Sequence, residues 1–215
     1  MAKDVLIRRE REEDYRIVEE LTRSAFWDVN VPGCDEHYLA HTLRRAEAFI
    51  AELDLVAEQQ GRIVGNIMYA KAQIVSGCGE SHPVLTFGPL SVWPELQKQG
   101  IGTHLVRHSL GKAYDLGYSA VIIYGDPDYY RRFGFRPARD FAIHTPYATY
   151  SPALQVLELQ QGALTGISGA FEEGEAYHLD SAAASAFDKD FAPREKGYRD
   201  SQRRFQELLA AALPI

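Results

Sequence analysis

The 215 residues suffice for one sizeable domain, or for a domain with an extension, and either could bury a core without disulfide support. A formal net charge of −7 excludes broad electrostatic binding to nucleic acid, because neutralising phosphates requires clustered Lys and Arg. No apolar run reaches the roughly 20 residues that span a bilayer, and Cys34 and Cys78 lack the spacing of a disulfide framework, which indicates a cytoplasmic protein with free thiols and no membrane span.

The first part of the chain predicts a strand followed by two helices. Residues 1–4 lead into a charged segment rather than a signal peptide, and residues 5–8 are β-prone. Acidic residues 12–14 suit the start of a helix, and residues 31–33 break the chain before a second one. The helical spacing is that of Ile17, Val18, Leu21 and Ala25, and then of Leu39, Leu43 and Ala46.

A β-hairpin is predicted next. Residues 53–58 alternate between apolar and polar types, Gln60 and Gly61 supply a turn, and the second arm continues to residue 75. One face of that arm could be lined by the residues of equal parity, Met68, Ala70, Ala72 and Ile74.

Residues 84–92 indicate a strand that Gly88 and Pro89 interrupt. Because proline cannot donate to a ladder, we expect a bulge or a splayed edge at this point. A helix over residues 102–116 and a buried strand over 120–124 follow. Strand, helix and strand in this order predict a crossover between parallel neighbours, with ligands at the carboxyl ends of the strands.

The loop before this helix, residues 97–102, contains two glycines. Backbone amides can converge where Gly100 and Gly102 carry no Cβ, and the helix N-terminus adds a partial positive charge, so the loop could bind an anion. A P-loop is excluded because no lysine stands between Gly102 and Thr103. A Rossmann fingerprint is excluded because Leu105 occupies the position of its third glycine.

The segments on either side of the pattern Gln97-x-x-Gly100-x-Gly102 make it more specific. Residues 88–92 precede it, and a helix, a strand and residues 130–135 (Tyr-Arg-Arg-Phe-Gly-Phe) follow. This arrangement resembles the GNAT superfamily of N-acetyltransferases, and residues 125–135 resemble a bacterial subgroup of predicted acetyltransferases. The resemblance covers about residues 5–138 and is specific from 87 to 135. It implies a mixed α/β (α+β) fold: a twisted, mainly antiparallel sheet with a splayed parallel strand pair that holds acetyl-CoA, and helices on both faces.

The resemblance also implies which residues bind the cofactor. The backbone of Leu90 and Val92 would pair with the pantetheine arm, and one of their amides would polarise the thioester oxygen. Amides from Lys98 through Thr103 would hold the diphosphate, braced by Gln97. The implied set is Leu90, Ser91, Val92, Gln97, Lys98, Gln99, Gly100, Ile101, Gly102 and Thr103.

By the same resemblance, Tyr130 is the catalytic residue, a general acid that protonates the departing thiolate of coenzyme A. Two alternatives remain: Tyr130 could be a core aromatic residue, and its neighbour Tyr129 could be the acid. The link between strand and tyrosine is shorter here than in many members of the family. The general base is not assigned, and Glu58, His82 and Glu36 are all conceivable.

The implied reaction is direct acetyl transfer from acetyl-CoA to a primary amine of a small molecule or peptide, without a metal. One alternative is a non-catalytic acetyl-CoA sensor, and another is a magnesium-dependent nucleotide hydrolase that uses the glycine loop. Zinc binding by Cys34, His37 and His41 is disfavoured because no fourth ligand is evident.

The C-terminal part is the least informative. We expect a GNAT acetyltransferase domain over residues 1–150 and a C-terminal extension over 151–215, with added strands and a helical arm packed on the same domain. Residues 154–159 are extended in pattern, whereas residues 182–186 and 202–212 are helix-prone. The arm could shape the acceptor pocket or a homodimer contact.

Overall fold

The computed structural model describes residues 5–215, so the prediction for residues 1–4 lies outside the described residues. Its helices are α1 (Tyr15–Phe26), α2 (Glu36–Leu43), α3 (Ile101–Asp115), α4 (Pro127–Tyr130), α5 (Ser181–Phe187) and α6 (Asp200–Ala210). Its strands are β1 (Val5–Arg9), β2 (Leu55–Gln59), β3 (Arg62–Val75), β4 (Ser81–Val92), β5 (Ala120–Tyr124), β6 (Arg136–Pro137), β7 (Ile143–His144), β8 (Thr149–Tyr150), β9 (Leu154–Glu158), β10 (Gly169–Glu172) and β11 (Leu213–Pro214). Among these helices of the described chain, none combines the length and apolarity that a bilayer crossing requires.

One mainly antiparallel sheet organises the described chain. Its strand order is β1-β2-β3-β4-β5-β9-β6, and β10 pairs with both β3 and β7. The crossover through α3 joins β4 to β5 in parallel, as the sequence predicted. A second, short parallel pairing between β7 and β10 was not predicted.

The two parallel strands β4 and β5 are in register at one position only, where Leu85 faces Val121. On its other edge, β4 pairs with β3 along its length, with a register shift in which Phe87 faces Tyr69 and Leu90 faces Ile67. Gly88 and Pro89 therefore form the extra length of a bulge, and the predicted interruption is confirmed. Past Leu85 the strands β4 and β5 diverge.

Helices cover both faces of the sheet. On one face α3 packs through the predicted residues Leu105, Val106, Leu110 and Ala113 onto Tyr69, Phe87 and their neighbours. On the other face α2 packs on Met68 and Ala70, and α1 packs on Val56 and Ile63. Helix α2 ends at Leu43, so extending it to Ala46 was wrong; Ala46 lies in a turn in which its amide donates to Leu43 O.

Residues beyond 150 contribute to the same sheet. Strand β9 pairs with β5 and β6, and β10 pairs with β3. The helix-prone stretches form α5 and α6. The division of the chain at residue 150 stays a prediction.

A buried ion cluster joins α2 to the first strand and helix. The Arg44 guanidinium donates two hydrogen bonds of 2.8 Å to the Glu10 carboxylate and one of 3.0 Å to Glu19. The Arg44 side chain is 5% exposed and that of Glu10 is fully buried. This cluster fixes α1 and α2 on the face of the sheet opposite α3.

Replacing Arg44 by methionine should destabilise the protein by about 3–5 kcal/mol, because two carboxylates would lose their buried partner. Urea unfolding measures the effect. Arg45→Met is the matched control, since Arg45 is exposed and should tolerate the change. Equal unfolding midpoints for the two variants would contradict the role of the cluster.

Candidate active site

The open edge of β4 lies where the strand has left β5. The amide of Trp93 donates to Val64 O on β3 at 3.3 Å, so the main-chain groups of Trp93 and Ser91 point toward β3. Because main-chain groups alternate in direction along a strand, those of Leu90 and Val92 point the other way, toward the opening. The Val92 oxygen accepts a hydrogen bond from Gln97 Nε2 at 3.2 Å, which agrees with this orientation.

Ser91 differs from its two neighbours. A Cβ added at Gly65 would lie 2.9 Å from the Ser91 oxygen, which places that oxygen against β3. The buried Ser91 hydroxyl donates to Thr22 Oγ1 on α1 at 3.2 Å. Of the three predicted strand residues, only Leu90 and Val92 therefore have main-chain groups directed at the opening.

The glycine loop has a left-handed backbone at two positions. Lys98 has φ of 60° and Gly100, directly before α3, has φ of 93°. The first hydrogen bond of α3 runs from the His104 amide to Gly100 O at 2.9 Å. The amides of Ile101, Gly102 and Thr103 precede that bond, and such amides have no partner within a helix. They are available to an anion at the helix N-terminus.

Side chains of the loop hold it in place. Besides Gln97, which bonds Val92 O, the Gln99 Nε2 donates to Glu95 O at 3.2 Å. Ile101 is 2% exposed and anchors the loop in the main core cluster. Lys98 is exposed.

Tyr129 and Tyr130 follow β5 on the short helix α4. The Tyr129 hydroxyl is hydrogen-bonded to the Thr103 side chain. The Tyr130 ring packs against Phe135 and Phe87 with centroid distances of 5.6 and 5.8 Å. Burial, followed by the hydroxyls of Tyr129 and Tyr69, raises the pKa of Tyr130, so its proton is retained at neutral pH.

A close approach positions Tyr130. A Cβ at Gly125 would lie 2.2 Å from Tyr130 Cε2, so only glycine allows the ring this position. Asp126 then begins α4 by accepting a hydrogen bond from the Asp128 amide at 2.9 Å. Both residues lie in the short link between β5 and Tyr130, which explains how this link still brings Tyr130 against the core.

The site now described consists of an open strand edge, a helix N-terminus and a partly buried tyrosine, and it can be compared with known proteins. A family model described as the acetyltransferase (GNAT) domain matches residues 6–138. The chain belongs to this family. As a GNAT protein it is an acetyltransferase.

Relatives and solved structures agree with this assignment. The uncharacterized N-acetyltransferase YhbS of Escherichia coli (strain K12) is 30% identical over 162 residues, which are 70% of this chain and 94% of that protein. The crystal structure of E. coli YhbS in complex with CoA has a TM-score of 0.72 at 29% identity and covers 83% of this chain and 94% of that one. A GNAT acetyltransferase from Brucella melitensis in complex with acetyl-CoA has a TM-score of 0.65 at 29% identity, covering 80% and 97%.

The three candidate general bases from the sequence, Glu58, His82 and Glu36, lie away from Tyr130 in this GNAT chain. Glu58 accepts a hydrogen bond from Arg8 Nε at 2.7 Å, and Glu36 accepts one from Asn30. His82 faces Ile74 near the start of β4, at the opposite end of the strand from Leu90. The structure brings none of them together with Tyr130.

Sequence reasoning missed Tyr177. Its hydroxyl donates to Gly88 O at 3.3 Å, directly at the bulge. The residue lies 89 positions further along the chain, in a segment with no periodic pattern, so no local signal could have found it.

Within residues 5–215 no cluster of His, Cys, Asp and Glu could hold a metal ion, and Cys34 and Cys78 are free thiols.

Replacing Gly125 by alanine should displace the Tyr130 ring, because the added methyl overlaps it and the surrounding aromatic rings limit its movement. Overpacking of this kind costs about 1–3 kcal/mol. A crystal structure and a thermal melt of the variant measure both effects. Gly111→Ala on α3 is the control, since nothing lies within 4 Å of its Cβ position. An unmoved ring at unchanged stability would contradict the prediction.

Proposed function

We propose that this acetyltransferase uses acetyl-CoA and transfers its acetyl group directly to a primary amine of a small molecule or peptide. The observation that carries the proposal is the open edge of β4: the main-chain groups of Leu90 and Val92 face the opening beside the α3 N-terminus. E. coli YhbS and the B. melitensis protein, whose structures contain CoA and acetyl-CoA, support the choice of cofactor.

In this proposal the cofactor lies along β4. Leu90 and Val92 pair with its pantetheine arm as an adjacent strand would, and Lys98 through Thr103 hold its diphosphate. Tyr129, bonded to Thr103, supports the loop from the side of α4. An amide of Leu90 or Val92 directed at the thioester oxygen stabilises the oxyanion that forms on attack.

Tyr130 acts as the general acid. When the amine attacks the carbonyl carbon and the carbon–sulfur bond breaks, the thiolate takes the Tyr130 hydroxyl proton. Its raised pKa ensures that this proton is present throughout the neutral range. Holding thioester and amine side by side contributes to the rate independently of proton transfer. The cytoplasmic location and a homodimer stay predictions.

Thiol release from acetyl-CoA, measured over a panel of amines, tests the function. The panel is butylamine, 2-phenylethylamine, spermidine, alanine and a short peptide with a free N-terminus. We expect turnover with at least one of them. Tight acetyl-CoA binding without turnover on any would overturn the enzyme proposal in favour of the sensor.

Tyr130→Phe should lower kcat by about 100-fold while changing acetyl-CoA affinity by less than about two-fold, because the hydroxyl is needed only when the thiolate departs. Steady-state kinetics and calorimetry measure the two quantities. Tyr114→Phe is the control, since Tyr114 on α3 is exposed. An unchanged kcat would show that Tyr130 serves only as a core aromatic residue.

A further inference from the structure

A partly exposed acidic residue, Glu173, directly follows β10. Its neighbour Glu172 pairs with Gln73 on β3, and the Gln73 side chain donates to the Glu172 carboxylate at 2.9 Å. Phe171, which directly precedes Glu172, is fully buried. Within residues 5–215 the Glu173 carboxylate has neither a hydrogen bond nor an ion pair. Of these two adjacent glutamates, Glu172 therefore has a side-chain partner and Glu173 has none.

Two tyrosines locate Glu173 relative to the opening. Phe171, two residues before Glu173, contacts the first of them, and the second, Tyr177, is four residues after Glu173. Tyr124 is the last residue of β5, and its ring lies 6.0 Å from that of Phe171. Tyr177 bonds the bulge at Gly88 O. Glu173 therefore belongs to the stretch of chain that runs from a contact at the carboxyl end of β5 to a contact at the bulge of β4, where the two strands diverge.

This position is on the face of the sheet opposite α3. Tyr177 packs with α2, and Phe171 packs with Ile122 in the cluster on that face. An acceptor that enters here approaches the opening from the side away from the glycine loop.

Among residues 5–215, no cation forms an ion pair with Glu173. Burial alone raises its pKa to about 7, and no positive charge among the described residues contributes. His144 on β7 bonds the Thr145 oxygen through Nδ1 at 2.8 Å, and Glu175 and His178 are exposed. A carboxylate without a partner suits an ammonium group.

We propose that Glu173 is the general base for the acceptor, and that the acceptor is a primary amine with no carboxylate beside its nitrogen. The assignment rests on the proposed function. A single unpartnered carboxylate can bind one ammonium group, and the described residues offer no nearby cation that would neutralise an acceptor's own carboxylate.

The protons balance as follows. Glu173 takes one proton from the bound ammonium, and the free amine then attacks the acetyl carbonyl. Carbon–nitrogen bond formation and carbon–sulfur bond cleavage give the amide and the thiolate, which Tyr130 protonates. The second amine proton restores the Tyr130 hydroxyl, and Glu173 releases its proton to solvent. The net reaction yields one amide, one thiol and one proton.

Glu173→Gln tests the assignment, with Glu172→Gln as the adjacent control. For the most active amine of the panel, we expect kcat/KM at pH 7.5 to fall by about 100-fold in E173Q and by less than about two-fold in E172Q. In the wild type, kcat/KM should rise with pH through an apparent pKa of about 7, because the base acts only when deprotonated. In E173Q, kcat/KM should not show this rise. The difference in kcat/KM between E173Q and the wild type should shrink near pH 10, where the amine itself loses its proton.

The outcomes separate the two proposals. No wild-type turnover on any amine overturns the proposed function and this assignment with it. Wild-type turnover that E173Q retains, with the same pH profile, overturns the assignment alone. An E173Q deficit that is equal at every pH, or that comes with lost acetyl-CoA affinity, shows a structural role and also overturns it. Acetylation of alanine as fast as of butylamine shows that the acceptor class is wrong.

Discussion

The divergence of β4 from β5 is the constraint on which the site depends. The two strands meet at Leu85 and Val121, and the bulge at Gly88 and Pro89 turns β4 away immediately afterwards. A parallel neighbour would otherwise occupy the main-chain groups of Leu90 and Val92. Because the crossover through α3 starts from the end of β4, the same divergence leaves the α3 N-terminus at the mouth of the opening. Helix α4, at the end of β5, supplies the opposite wall.

An opening in the middle of a sheet removes ladder hydrogen bonds, so the surrounding structure has to hold the two strands in place. On the β4 side the support is close packing: Gly65 lets β3 approach Ser91 and the α3 residue Leu105, and Trp93 Nε1 donates to Ile63 O at 2.9 Å. On the β5 side, β9 pairs with all five residues of the strand. The opening is therefore flanked by strands that are supported along their outer edges.

The sequence could support a prediction for the cofactor side of the site because the signals there are local, and that prediction stays untested. Gly88, Pro89 and the loop from Gln97 to Thr103 determine their own backbone shape, and their neighbours in the chain are also their neighbours in space. The acceptor side could not be predicted. Tyr177 reaches Gly88 across 89 positions, and Arg204 on α6 reaches the α4 residue Asp126 across 78, both through side chains. No spacing rule specifies such contacts. Glu172 and Glu173 are adjacent and chemically identical in the sequence, and only the fold gives them different surroundings.

In the proposed function, the two sides of the opening also differ in how they recognise a ligand. The cofactor side presents main-chain groups, which any residue provides, so its chemistry depends on backbone shape more than on side-chain identity. The acceptor side presents side chains from residues beyond 150, and one substitution there alters charge or shape directly. The C-terminal segment also contacts two other parts of the chain: Gln202 bonds Asp28 O next to α1, and Arg204 bonds Asp126 at the start of α4. Under the proposed function, a change in this segment alters the choice of amine while leaving the acetyl donor in place, and we therefore expect acceptor specificity to reside in the C-terminal third.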